Sequence, residues 1–226
     1  ARRGSRGFES HPLRHEDAAC VLFSFPMRLI VVRHGQTACN VNNMWHGWDE
    51  CALTAEGEAQ AAAVGTRLAG EPITAIYSSP SRRARQTADA VARRHGLGPV
   101  VEPGLRERSA GDYEGVSVAE VERVRPTIWQ ERDADLWGWR PPGGESFREV
   151  LQRTTEVLDR IRACHPDETV ALVTHMGPAR MLLNHLTGTS LEETYRMTFP
   201  STSVSIYRFD GSDVTVEALN DAAHTA

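Results

Sequence analysis

The sequence predicts an α/β protein, a three-layer α/β/α sandwich with a mostly parallel central sheet. Two observations carry that prediction: strand-like runs alternate with capped helices along the chain, and the runs at residues 29–32 and 170–173 are apolar throughout, as strands covered on both faces are.

Leu29-Ile30-Val31-Val32 forms the first strand and ends at Arg33-His34-Gly35. Thr54 caps a helix that runs through about Leu68, with Gly70 just past its end. Residues 73–77 form the second strand. Ser79 at N-cap and Pro80 at N1 open the next helix, and Gly96 stops it. A further helix covers residues 118–124. Trp129, Trp137 and Trp139 then fall in a loop-like stretch that ends at Pro141-Pro142-Gly143-Gly144. Ser146-Phe147-Arg148-Glu149 is a capping box opening a long amphipathic helix to about Ala163. Residues 170–173 form a third buried strand that ends at Thr174-His175, and a helix follows over 178–186. Two β-rich runs, 204–209 and 214–219, flank an Asp210-Gly211 turn. No internal repeat is visible, and residues 27–226 read as a single domain.

Residues 1–26 read differently, being Arg- and Gly-rich without periodicity. Glu16 and Asp17 argue against a signal peptide. Gly7-Phe8-Glu9-Ser10-His11 is the string obtained by translating the T-loop end of a tRNA gene. The segment is therefore expected to be an upstream artefact before a true start at Met27, with a disordered native tail as the alternative.

Composition excludes several functions. The formal net charge of -5 argues against nucleic acid as a general partner, and no run approaches the ~18 apolar residues of a membrane span. All 25 basic residues are arginine. Without lysine there is no P-loop lysine, no Schiff base and no lysine general base. Arginine still binds phosphate bidentately. Cys20, Cys39, Cys51 and Cys164 show neither C-x-x-C spacing nor the density of a disulfide scaffold, which predicts reduced thiols and a cytoplasmic setting.

Two predicted strands end in histidine, at Arg33-His34 and at Thr174-His175. A third delivers Arg82, Arg83 and Arg85 on the first turns of its helix. Carboxyl ends of strands in one open sheet face a common crevice, and helix N-termini favour anions. Two histidines and at least two arginines aimed at one place suit a phosphoryl group. Their spacing is unlike that of a metal site.

Val32-Arg33-His34-Gly35-Gln36-Thr37-Ala38-Cys39-Asn40 resembles the R-H-G-[EQ]-T-x-x-N motif of the histidine phosphatase superfamily, the phosphoglycerate mutase-like proteins. The resemblance continues in order through Gly47-Trp48, Leu53-Thr54-x-x-Gly57, Ser78-Ser79-Pro80 with Arg83-Ala84-x-x-Thr87-Ala88, Leu105-Arg106-Glu107, Gly111-Asp112-Tyr113-Glu114-Gly115, Gly143-Gly144-Glu145-Ser146 and Val173-Thr174-His175. It implies the phosphoglycerate mutase-like fold. It also implies a phosphomonoesterase working through a phosphohistidine, with no metal or other cofactor and a small phosphomonoester as substrate.

By that resemblance His34 is the nucleophile, and Arg33, Arg83 and His175 hold the phosphoryl oxygens. Asn40, Gln36, Thr37 and Gly177 complete the substrate-binding set. Glu107 protonates the leaving alkoxide and then deprotonates water, so it must enter the first step as an acid. Met176 stands where the family often has glycine, which predicts a narrower pocket; Ala52 in place of a common proline predicts only a local loop change.

Glu107 is followed by Arg108-Ser109-Ala110-Gly111 rather than by the mutases' E-R-H-Y-G block, which favours hydrolysis over phosphoryl transfer between hydroxyls. A catalytically inactive binding module is the remaining alternative. The substrate stays open among sugar phosphates, phosphoglycerate-type acids, nucleotide-derived phosphates and α-ribazole phosphate. Tyr113, Trp129, Trp137, Trp139 and Met176 are candidates for the pocket mouth, with local packing as the competing reading. A monomer or homodimer is expected.

Overall fold

The computed structural model describes residues 26–225, so all but the last residue of the proposed N-terminal artefact lies outside the described residues, as does Cys20. In chain order the elements are β1 (Met27–Arg33), α1 (Ala38–Val41), α2 (Ala55–Leu68), β2 (Ile73–Ser78), α3 (Arg82–His95), β3 (Val100–Val101), α4 (Val118–Val124), α5 (Ile128–Ala134), α6 (Phe147–Cys164), β4 (Thr169–Thr174), α7 (Met176–Thr187), α8 (Leu191–Arg196), β5 (Val204–Asp210) and β6 (Asp213–Asp221).

The strands form one six-stranded sheet in the order β3-β2-β4-β1-β5-β6. β3, β2, β4 and β1 are mutually parallel, and β5 and β6 continue the sheet antiparallel. Successive side chains of β1 point to opposite faces. Leu29 and Val31 join Val157, Leu158 and Leu182 under α6 and α7, while Ile30 and Val32 join Val64, Leu68 and Val91 under α2 and α3. These two cores are the interfaces of the expected three-layer α/β/α sandwich.

Several boundaries differ from the sequence reading. The helix expected to start at Ser79-Pro80 starts at Arg82 with Ser81 at its N-cap position, and the Ser79 hydroxyl meets His175 Nε2 at 2.8 Å. Gly96 does end it, in the left-handed conformation at φ 66°. Trp129 is not in a loop but on α5, and α7 begins at Met176 rather than Pro178. The largest correction concerns the thiols. Cys39 and Cys51, expected to be reduced, are joined in a disulfide; the Thr37–Leu53 bridge lays their two segments side by side. Cys164 is free and exposed.

Candidate active site

Register decides where the two histidines fall. β1 and β4 are paired so that Arg33 lies opposite Thr174. The next residues, His34 and His175, therefore leave neighbouring strands at the same level. The His34 amide donates to the Thr174 carbonyl at 3.0 Å, and the imidazole centroids are 5.0 Å apart. Beside them the Ser79 amide donates to the Val173 carbonyl at 3.0 Å, so the end of β2 reaches the same point.

The loop after His34 is held against the start of α2. A Cβ on Gly35 would stand 2.5 Å from the Gly57 carbonyl oxygen, so the two chains meet at a distance only glycine permits. Thr37 caps α1 and forms a capping box with Asn40. The side chains of Gln36 and Thr37 are occupied in this scaffold: Gln36 accepts from the Thr54 hydroxyl at 2.9 Å, and the Thr37 hydroxyl donates to Asn40 Oδ1 at 2.9 Å. Neither lines the cavity described below.

Burial and the charges of Arg83 and Arg33 hold the His34 pKa well below the usual imidazole range. The ring is thus neutral near neutral pH. Its Nδ1 lies 2.7 Å from the Gly35 carbonyl oxygen. A carbonyl can only accept, so Nδ1 carries the proton and Nε2 keeps the lone pair. His175 is likewise kept neutral by burial, Arg83 and His34. Its Nε2 meets the Ser79 hydroxyl at 2.8 Å, and its buried Nδ1 has no hydrogen-bond partner among the described residues.

Glu107 comes from the loop after a short 3-10 turn, Pro103–Leu105. Three bonds fix that loop. Thr174 Oγ1 donates to the Leu105 carbonyl at 2.7 Å, and Arg153 on α6 donates to the carbonyls of Arg106 at 2.6 Å and Glu107 at 2.9 Å. The Gly177 amide then donates to both Glu107 carboxylate oxygens, at 3.0 and 3.1 Å. A Cβ on Gly177 would collide with that carboxylate.

Arg33, His34, Asn40, Glu107, Met176 and Gly177 line one cavity of about 340 Å³. Burial pushes the Arg33 guanidinium pKa down to about 10; it donates to the Phe199 carbonyl, and its buried Nε is unpaired among the described residues. Arg83 is fully buried, and neither it nor His175 is among the residues that line the cavity. Arg83 Nη2 donates to the Gly47 carbonyl at 2.7 Å and its Nη1 to the Asp49 carbonyl at 2.8 Å.

Sequence reasoning missed Trp45, His46, Arg108 and Arg180, which also line the cavity. Arg108 lies over the Phe147 ring, 4.5 Å from its centroid, and its buried Nη1 has no partner among the described residues. The only earlier signal for it was its position next to Glu107. Of the candidates for the pocket mouth, Trp129 and Met176 line the cavity. Tyr113 and Trp139 pack on Trp45, and Trp137 joins a separate cluster with Phe147.

A neutral histidine with a free Nε2, flanked by a second neutral histidine, arginines and a fixed carboxylate, is the equipment of a phosphoryl-transfer site. Residues 29–222 match the family description of the histidine phosphatase superfamily (branch 1), and the chain belongs to that superfamily. It is 33% identical over 204 residues to a phosphoglycerate mutase-like protein of Arabidopsis thaliana, covering 87% of this chain and 86% of that one. It is also 33% identical over 170 residues to a metal-independent phosphoserine phosphatase of the same plant, covering 72% of this chain and 69% of that one. Among solved structures it is similar to Bacillus stearothermophilus YhfR, with a TM-score of 0.81 and 32% identity over 88% of this chain and 100% of that one. Family and relatives together support a phosphatase.

Proposed function

We propose that this chain is a phosphomonoesterase that hydrolyses small phosphorylated metabolites through a phosphohistidine on His34, without a metal. The observation that carries the reading is the contact of the buried His34 ring with the Gly35 carbonyl, 2.7 Å from Nδ1, which places the proton on Nδ1 and leaves Nε2 to attack.

In the first step Nε2 attacks phosphorus in line and a P–N bond forms as the ester P–O bond breaks. The protonated Glu107 gives its proton to the departing oxygen. Arg33 and Arg83 stabilise the charge on the phosphoryl oxygens, and the unpartnered Nδ1 of His175 is free to donate to one of them when the Ser79 hydroxyl donates to Nε2. Asn40 adds a contact from the same loop. In the second step Glu107, now a carboxylate, takes a proton from water as water attacks phosphorus. The P–N bond breaks, phosphate leaves, and both residues return to their starting states. Fixed guanidinium charge does the work a Lewis acid does elsewhere.

The unpaired Nη1 of Arg108 adds a cation beyond those assigned to the phosphoryl group. It favours substrates with a second anionic group, such as phosphorylated acids, over neutral sugar phosphates. A panel of purified phosphomonoesters assayed for phosphate release tests the reading; no release from any member contradicts it. The same extra cation supports a second reading, phosphoryl transfer between hydroxyls of one acid, which the panel separates by isomerised product without free phosphate. Residues 27–226 are taken as one catalytic domain acting in the cytoplasm as a monomer or homodimer.

A further inference from the structure

Cys39 and Cys51 sit between two parts of the site. Cys39 is on α1, next to Asn40. Cys51 follows the segment that seats Arg83, whose guanidinium donates to the carbonyls of Gly47 and Asp49 and reaches Asp49 Oδ1 at 3.3 Å. The Glu114 carboxylate ties one end of this segment by accepting from the amides of Gly47 at 2.8 Å and Trp48 at 3.0 Å. The Cys39–Cys51 bond ties the other end to α1. Both cysteines are only partly buried.

We propose that Cys39 and Cys51 form a reversible thiol-oxidation site whose bonding state sets how firmly Arg83 is held, with hydrogen peroxide as oxidant. The link to Arg83 rests on the phosphoryl-binding role proposed above; the thiol chemistry does not.

The surroundings distinguish the two sulfurs. Cys51 Sγ accepts the Cys39 backbone N–H at 3.3 Å, and Cys39 Sγ lies 3.5 Å from Asp49 Oδ2. Cys51, the sulfur that faces a backbone donor, is taken as the attacking one. With peroxide, its thiolate attacks one oxygen and the O–O bond breaks. The departing hydroxide takes a proton and leaves as water, and a sulfenic acid remains. Cys39 then displaces that hydroxyl, which leaves as a second water with the Cys39 proton, and the S–S bond forms. The two sulfurs lose two electrons and the peroxide takes both. A dithiol reverses the change by exchange. When the bond is broken the sulfurs separate to non-bonded contact, and residues 49–51 shift with Cys51. The carbonyl that seats Arg83 Nη1 moves with them.

The test uses the full chain, reduced with dithiothreitol, desalted and divided, with one half exposed to peroxide. Alkylation and mass mapping read the thiols, and calorimetry reads the binding of inorganic phosphate at a temperature where both samples are folded. The oxidised sample is expected to show Cys39 linked to Cys51. It should bind phosphate about tenfold more tightly, the size of one charged hydrogen bond, and re-reduction should reverse the change. Cys51→Ser should stay at the reduced value with or without peroxide, and Cys164→Ser should respond like wild type. Peroxide treatment that leaves the pair unlinked overturns the site. A linked pair with an unchanged phosphate Kd overturns the coupling to Arg83, and needs no variant to show it. Failure of the phosphomonoesterase reading looks different: no turnover of p-nitrophenyl phosphate in either sample, with the mapping result still standing.

Discussion

His34 and His175 face each other with ring centroids 5.0 Å apart at 64° because the residues before them, Arg33 and Thr174, are a paired position of two parallel strands. Backbone register thus sets the spacing of the pair before any side chain is chosen. Burial then keeps both rings neutral.

That neutrality has a consequence for stability. The folded-state pKa of each ring lies below the ordinary unfolded value near ~6.5, so in acid the unfolded chain binds protons that the folded chain refuses. Stability is fully present above that value and is lost as pH falls below it toward the folded values, by up to about 1.4 kcal/mol per pH unit for each ring. Urea midpoints at pH 7.5 and 5.5 should show this loss, and His175→Asn should reduce it. An unchanged pH slope in the variant would contradict the burial of a neutral His175.

Gly177→Ala should damage the acid rather than the fold. Its Cβ would collide with the Glu107 carboxylate, which turns away more easily than the α7 backbone. We expect an alkyl phosphate to lose about 10²-fold in kcat with an unchanged circular dichroism spectrum. An unaltered kcat would mean that the Gly177–Glu107 contact does not position the carboxyl.

Much of this arrangement was legible in the sequence, for identifiable reasons. The apolar runs at 29–32 and 170–173 read as buried strands, and each is followed by the histidine it delivers. Thr54 and Ser146 mark their helices by side-chain caps that the structure contains. α5 is only seven residues long, and its Trp129 was read together with Trp137 and Trp139 as one loop-like stretch. α8 was missed despite a signal, the capping box of Ser190 and Glu193. Arg108, Arg180, Trp45 and His46 reach the cavity from separate loops and helices, and no local pattern announces such convergence. The Cys39–Cys51 pair was hidden for the same reason, since a separation of 12 residues says nothing of proximity until Thr37 pairs with Leu53.

Chelators should leave catalysis unaffected. Among the described residues, the group whose ligand atoms lie close enough for a metal is Cys39, Asp49 and Cys51, and none of these lines the cavity. Turnover of p-nitrophenyl phosphate should be equal before and after EDTA dialysis. Loss restored by Zn²⁺ or Mg²⁺ would contradict arginine-based charge neutralisation.

Glu107→Gln should discriminate between leaving groups. An alkoxide must be protonated as it departs, so phosphoenzyme formation from a sugar phosphate should slow by about 10²–10⁴-fold. A nitrophenolate leaves unaided, so its first step should be nearly spared, and labelled enzyme should accumulate because water lacks its base. Equal slowing with both substrates in single-turnover assays would remove Glu107 from the acid role and turn attention to Glu114.

The most direct test of the account is to find where the phosphoryl group resides during turnover. Wild-type protein is mixed with ³²P-labelled phosphomonoester, quenched in alkali within one turnover, and its labelled peptide is identified. The account predicts an acid-labile, alkali-stable label on His34, and His34→Ala should lose the label and the turnover together while remaining folded. A label on another residue, or normal turnover in His34→Ala, would contradict it.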